Sequence, residues 1–243
     1  MAAPKIEWPR SLTVQGQLSF PIKSEAEIEK VVEWRKKNNI KKPKYDDKIG
    51  GSLILNQVNY DKAVAYLEEV YLPFVDVLYK ETNGEKGVDA DALKLLKEQV
   101  KKRNWLAADG KPNLPLRDLN EKDRENLGEF PGVAKLKFSG PYEENLGVKA
   151  IIQPQGEPRY VTSIDSLVED GLIPESRRDV DQLWWGANWN FRVNVRMNAF
   201  DKATVGVTGY VQTLYLLPHL GLPVFGGSGD ADVLEDGDDA DWE

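Results

Sequence analysis

The chain predicts a mainly β protein with inserted helices, an α+β chain built on a small closed or nearly closed barrel of five or six strands. Three observations carry this. Apolar and polar residues alternate with a period of two in several stretches, most clearly in the second half. Helical periodicity is confined to insertions among the early strands. From Gly226 onward nothing can build a core, so the last residues form a flexible, disordered tail.

The elements follow in order. In SLTVQGQLSF (11–20), Leu12, Val14, Leu18 and Phe20 share one face and Thr13, Gln15, Gln17 and Ser19 the other, which is a half-buried strand ended by Pro21. Ser24 and Glu27 form an S-x-x-E capping box opening a helix to about Asn38, with Ile28, Val31 and Val32 inward. GGSLILNQV (50–58) reads as the second strand. Residues 60–81 form a long helix with Val64, Leu67, Tyr71, Phe74, Val75 and Leu78 on one stripe, and Pro73 should kink or split it. A further helix spans roughly 89–103. Residues 106–132 are rich in Pro, Gly, Asn and charge and read as a loop. Residues 133–139, 147–153, 188–200 and 204–217 read as strands. The stretch 154–186 is irregular with a helical turn near 164–169, and DKAT (201–204) joins the last two strands as a hairpin.

Charge is segregated. The 243 residues carry 32 basic and 40 acidic side chains. Eight of the acids lie in residues 227–243, which hold no Lys or Arg, so the body has 32 of each sign. The low sequence pI of 5.0 therefore describes the tail and does not exclude a nucleic-acid partner. There is no cysteine, which excludes disulfides and thiolate chemistry. MAAPKIEWPR has no apolar core of a signal peptide, and no apolar run approaches the roughly 18 residues of a membrane span. The expectation is a soluble, cytoplasmic protein with no membrane partner.

Catalytic chemistry finds little support. His219 is the only histidine and sits in PHLGLP, a packing context, so the usual zinc sites and the Ser-His and Cys-His constellations are missing. No phosphate-loop motif is present. The tail fails as a calcium loop: starting at Asp230, positions five and six are Leu234 and Glu235, and starting at Asp232, position three is Leu234. The expectation is a non-enzymatic protein with no metal and no cofactor.

Binding chemistry remains. In 188–198, Trp189, Phe191, Val193, Val195 and Met197 point one way, and Asn188, Asn190, Arg192, Asn194, Arg196 and Asn198 the other. A face of Asn and Arg supplies hydrogen bonds to phosphates and base edges, and guanidinium planes for stacking. A plain solvated outer face remains the alternative. Lys135 and Lys137 repeat the pattern opposite Ala134, Leu136 and Phe138. A third basic element comprises Arg35, Lys36, Lys37, Lys41, Lys42 and Lys44, interleaved with Trp34 and Tyr45. Trp184 and Trp185 lie in a loop before the main strand, where one joins the core and the other, with Trp185 as the candidate, is a stacking platform.

KPKYDDKIGGSLIL (42–55), NLPLRDLNEKD (113–123) and the terminal hairpin with GLPVFGG (221–227) together resemble the single-stranded-DNA-binding proteins of tailed bacteriophages. The most specific part is Pro115, Leu116, Arg117, Asp118, Glu121 and Lys122. The resemblance implies an OB-fold barrel and an acidic tail; in this chain the barrel is expected over residues 1–226, with the helices read above at about 24–38 and 60–103 as insertions, and the tail at 227–243. It implies sequence-nonspecific binding of single-stranded DNA in phage DNA replication and recombination, inside an infected bacterial host. It also implies a tail whose Asp236, Asp238, Asp239, Asp241 and Trp242 dock replication partners (polymerase, helicase or nuclease) and stand in for DNA on the protein's own groove. The sequence departs from that pattern in the extra helix at 24–38 and in carrying Asn and Arg where relatives often show tyrosines. Two other readings stand beside it: a non-enzymatic adaptor that recruits proteins through its tail, and a nuclease with an unrecognised carboxylate site. A homodimer is compatible with each.

Overall fold

The computed structural model describes residues 7–19, 22–23, 25–39, 48–82, 90–127, 129–141, 148–150, 159–160, 164–171, 175, 184–185, 189–201, 205–217 and 220. In chain order these form β1 (Leu12–Leu18), β2 (Ile22–Lys23), α1 (Glu25–Lys37), β3 (Lys48–Asn56), α2 (Gln57–Ala65), a π-helical turn (Tyr66–Tyr71), α3 (Leu72–Thr82) and α4 (Ala90–Lys101). There follow β4 (Leu116–Asp118), α5 (Glu121–Asn126), β5 (Gly132–Pro141), β6 (Val148–Ala150), β7 (Arg159–Tyr160), α6 (Ile164–Glu169), β8 (Trp184–Trp185), β9 (Asn190–Asp201) and β10 (Val205–Leu216).

The main sheet runs β4-β5-β3-β1-β9-β10-β6-β7, and an added β5–β10 pairing closes five of its strands into a barrel. β1 lies between β3 and β9, antiparallel to both, while β5 and β10 meet in parallel at Tyr210 and Ser139. Counted along the chain, the barrel strands are ordered three, two, one, four, five and back to three, the connectivity of an OB-fold. Close crossings need glycine. A Cβ on Gly16 would lie 2.0 Å from the Ile54 carbonyl oxygen, and one on Gly209 would lie 2.8 Å from that of Lys137, where the barrel shuts.

The two-residue period decides what lies inside. β1 alternates strictly between buried and half-buried positions. On the inner face, Trp189 precedes Phe191, Val193, Val195 and Met197 of β9, all fully buried, and they join Leu53, Leu55, Leu136, Phe138, Val211, Leu214 and Leu216 in one core. Leu93, Leu96 and Val100 of α4 and Leu67, Tyr71 and Val75 of the preceding helix extend that core.

Several expectations change. The interruption of the long helix lies ahead of Pro73, as the π-turn Tyr66–Tyr71, where the Leu72 N–H reaches back to the Leu67 carbonyl. Proline has no N–H for the carbonyl four residues back and its ring crowds that carbonyl, so the helix widens by one residue upstream instead of breaking at the ring. The supposed loop 106–132 contains β4 and α5. Asn120 caps α5 in a reciprocal box with Asp123, a local signal hidden by the surrounding Pro, Gly and charge. Trp184 and Trp185 form β8, paired with Lys23 and Ile22 of β2 in a separate two-stranded ladder, so they belong to a strand and not a loop. Ser24, residues 151–153 and residues 202–204 of the DKAT turn lie outside the described residues, although Asp201 pairs with Val205 as a hairpin requires.

Candidate nucleic-acid interface

Asn190, Arg192, Asn194, Arg196 and Asn198 all stand half-buried on the outer face of β9. Their neighbours are fixed by register. On β1, Gln15 lies opposite Arg192 and Thr13 opposite Asn194. On β10, Tyr215 lies opposite Arg192, Thr213 opposite Asn194, Tyr210 opposite Arg196 and Thr208 opposite Asn198. Directly opposed side chains in a sheet approach within about 5 Å, so these rows make one surface.

The rows hold specific contacts. With its amide oxygen turned toward the guanidinium, Gln15 accepts from Arg192 Nε at 3.0 Å and Nη2 at 2.9 Å. This aligns one arginine across the face. The Arg196 guanidinium lies 5.1 Å from the Trp8 ring centroid and 5.3 Å from that of Tyr210, a cation held between two aromatic faces. Trp8 packs 5.2 Å from Phe74, which anchors residues 7–10 to the helical insertion. Asn190 Nδ2 donates to the Leu220 carbonyl at 3.3 Å.

Four polar atoms on this surface are buried without a hydrogen-bond partner: Gln17 Oε1, Asn194 Oδ1, Asn198 Oδ1 and Arg196 Nε. Buried polar atoms are nearly always satisfied, and each one left over costs roughly 1–3 kcal/mol.

Tyr210, Tyr215, Trp8, Gln15 and Gln17 belong to this face and were not singled out by the sequence. A bulge between Val211 and Thr213 inserts Gln212 and flips the period, which brings Tyr215 round to Arg192. Strict alternation from Tyr210 would have placed Leu214 there instead.

The other predicted residues fall elsewhere. Strands β5 and β9 are not neighbours; β10 separates them on one side and β1 and β3 on the other. A belt of opposed pairs still links them, from Arg196 to Tyr210, to Ser139 and to Gly50. Exposed Lys137 stands two residues from Ser139 on the same side of β5, opposite Ser52. Lys135 is different. Its ammonium lies 2.6 Å from Asp123, whose side chain is fully buried. Asp123 also accepts from Ser19 Oγ at 2.8 Å and the Asn120 N–H at 2.9 Å. Burial alone would raise the Asp123 pKa, but Lys135 and the bonds from Asn120 and Ser19 outweigh it and hold the carboxylate below its usual range. Lys135 is thus committed to a clasp between β5 and α5.

The Pro115–Lys122 stretch belongs to the same clasp. The Pro115 carbonyl accepts from the Lys137 N–H at 2.8 Å. Arg117 donates to the Leu114 and Leu116 carbonyls, and burial pushes its pKa down to about 10. In the third basic element, Lys36 and Lys37 are exposed in the last turn of α1, but Arg35 is buried. Lys41, Lys42, Lys44, Tyr45 and the tail residues Asp236, Asp238, Asp239, Asp241 and Trp242 lie outside the described residues, and the side chain of Trp185 is likewise not described.

Among the described residues, no group of three or more His, Cys, Asp or Glu could hold a metal, and no helix is long and apolar enough to cross a membrane. No family model matches the chain, and no curated protein matches it. Solved structures do. One is gp2.5, a single-stranded DNA binding protein encoded by bacteriophage T7, at 16% identity and a TM-score of 0.35, covering 93% of this chain and 97% of that one. Another is the single-stranded DNA-binding protein of bacteriophage Enc34, at 9% identity and a TM-score of 0.38, covering 88% of each chain. The same Enc34 protein in complex with single-stranded DNA is similar at 11% identity and a TM-score of 0.35, covering 86% of this chain and 82% of that one. The OB topology of this chain stands on its own strand order and register.

Proposed function

We propose that the chain binds single-stranded DNA without reading its sequence and does no chemistry on it. The observation that carries this is the β1–β9–β10 face, where Arg196 is held between Trp8 and Tyr210 among polar atoms that lack partners. Arginines contact phosphates, aromatic rings accept any base, and Asn and Gln meet either, which is the chemistry of indifferent single-strand binding. Asn190, Arg192, Asn194 and Arg196 make the contacts, with Tyr210 and Tyr215 as stacking platforms. The strand then follows the belt over Tyr210 toward Lys137, where OB barrels use their second and third strands and the loop between the first and second. Lys36, with Lys41, Lys42 and Lys44, lies in the connection between those strands and extends the phosphate track. Lys135 serves this site by holding β5 in place.

The replication and recombination role, and recruitment of replication proteins, belong to the tail. Its eight acids follow Gly226, Gly227, Ser228 and Gly229 in the sequence, and covalent attachment sets its local concentration near the body at roughly millimolar order. The tail therefore competes with phosphates for the cationic face, and Trp242 anchors in a partner's pocket. Removing residues 227–243 tightens DNA binding, most at low salt.

The test is a fluorescence-polarisation titration of labelled oligo-dT across salt, with and without magnesium. The expected result is binding whose log K falls with log salt, with substrate intact. A protein adaptor would bind at no salt concentration, and a nuclease would destroy the oligomer only with magnesium.

A further inference from the structure

A cleft of about 370 Å³ opens at the β1 side of this face. One wall is residues 10–13, and the other is Lys62 and Ala65 of α2 with Tyr66, Glu69 and Val70 of the π-turn. The cleft exists because β1 pairs with β3 only at Gln17 and Leu18. The earlier half of that edge meets the helical insertion instead, and the Gln15 N–H is taken by Asn59 Oδ1 at 2.9 Å. Peptide groups alternate sides along a strand, so those of Thr13, two residues before, are on the same edge, and Thr13 lines the cleft.

Its chemistry is specific. Tyr66 is 7% exposed, lines the cleft, and has a hydroxyl with no hydrogen-bond partner. Burial raises the pKa of that hydroxyl, against the nearby charge of Arg10. Arg10 and Lys62 are exposed at the rim, and Glu69 stands with them. Two cations and one carboxylate leave a single positive charge, the match for one phosphodiester. Leu12, Ala65 and Val70 supply apolar wall. The cleft is continuous with the face: Thr13 opposes Asn194, Ser11 Oγ donates to Gln212 of β10, and Trp8, two residues before Arg10, stacks on Arg196.

We propose that this cleft receives one nucleotide of the strand bound across β1, β9 and β10, with its phosphate between Arg10 and Lys62 and its base edge on the Tyr66 hydroxyl and the Thr13 peptide. The inference rests on the single-strand reading above and adds a second kind of contact to it. The face takes bases by stacking; the cleft takes one base out of the stack. Three of the cleft's residues, Tyr66, Glu69 and Val70, belong to the π-turn.

The experiment titrates the full chain, Tyr66→Phe, Lys62→Gln and Arg196→Ala with labelled oligo-dT and with an abasic oligomer of the same length. Tyr66→Phe keeps the ring and removes only an unpartnered hydroxyl, so it folds with an unchanged or higher Tm. It should weaken oligo-dT binding about fivefold, the scale of one hydrogen bond, and leave the abasic oligomer unaffected. Lys62→Gln should weaken both ligands and reduce the salt slope by about 0.7, one single-strand phosphate contact. If both variants bind both oligomers as the unmodified chain does, while Arg196→Ala still binds more weakly, the cleft is not a nucleotide site and the face is. An equal loss on both oligomers in Tyr66→Phe would also overturn the proposal, since no base would then be read. If the unmodified chain binds neither oligomer, the single-strand reading itself fails and the cleft proposal goes with it.

Discussion

Strands β5 and β9 carry the same sequence pattern, apolar residues alternating with cations, and the fold uses them in opposite ways. On β5, Lys135 reaches the buried carboxylate of Asp123, which Ser19 and Asn120 also hold. On β9, Arg196 pairs with no carboxylate among the described residues; it is flanked by Trp8 and Tyr210, and its Nε has no partner among them. The first cation is part of the scaffold; the second belongs to the face proposed above to bind single-stranded DNA. Alternation decides which side of a strand a residue occupies. It says nothing of what another segment places there, and that decides whether a cation stabilises the fold or binds.

The largest effect that sharpens this contrast is on stability. Lys135→Met leaves Asp123 buried without its counter-charge and should cost about 3–5 kcal/mol, read as a lowered midpoint in urea. Phe191→Ala, a core deletion on the inner side of β9, should cost a similar 3–5 kcal/mol. If Lys135→Met is as stable as the parent chain, the two strands do not differ as argued.

Next in size is the aromatic pair. Tyr210→Ala and Trp8→Ala should each weaken oligo-dT binding by about 1–3 kcal/mol, the scale of one stacked base, with a salt slope close to the parent's because no phosphate contact is lost. A steep change in salt slope would show that these rings act only by positioning Arg196.

The acid limb separates the strands again. Asp123 has a depressed pKa in the folded chain, so its contribution is present above the unfolded value of about 3.9 and is lost as pH falls through the lower folded value. Thermal melts should be flat from neutral pH to about pH 5 and fall below about pH 4. Asp123→Asn should be less stable at neutral pH and show a shallower acid limb. An identical acid limb in that variant would remove the clasp from the account. The smallest expected effect is Lys137→Gln, which should lower the salt slope by about 0.7 and change the melting temperature little.

Much of the barrel was legible because its signals are local. The inner and outer sets of 189–198 follow from period two alone, and the helical turn at 164–169 and helix α1 from short-range pattern. What escaped depends on contacts distant in sequence or on a break in period. Trp8 reaches Arg196 only because the fold returns the N-terminal segment to β9. Tyr215 joins the face through a one-residue bulge. Arg35 sits in a run of cations, and nothing in that run distinguishes it as the buried one. The pairing of Lys135 with Asp123, twelve residues apart, needed α5, which its loop-like composition concealed.

One comparison of affinities for labelled oligo-dT separates the β9 arginines, expected to bind, from the β5 clasp, expected only to support. It sets the Arg192→Ala/Arg196→Ala double variant against Lys135→Met, both at a temperature where circular dichroism finds each folded. The double variant should lose at least about tenfold in affinity with its melting temperature nearly unchanged, while Lys135→Met should bind within about twofold of the parent chain. The reverse order, with the arginine variant binding normally and the lysine variant failing to bind while folded, would contradict it.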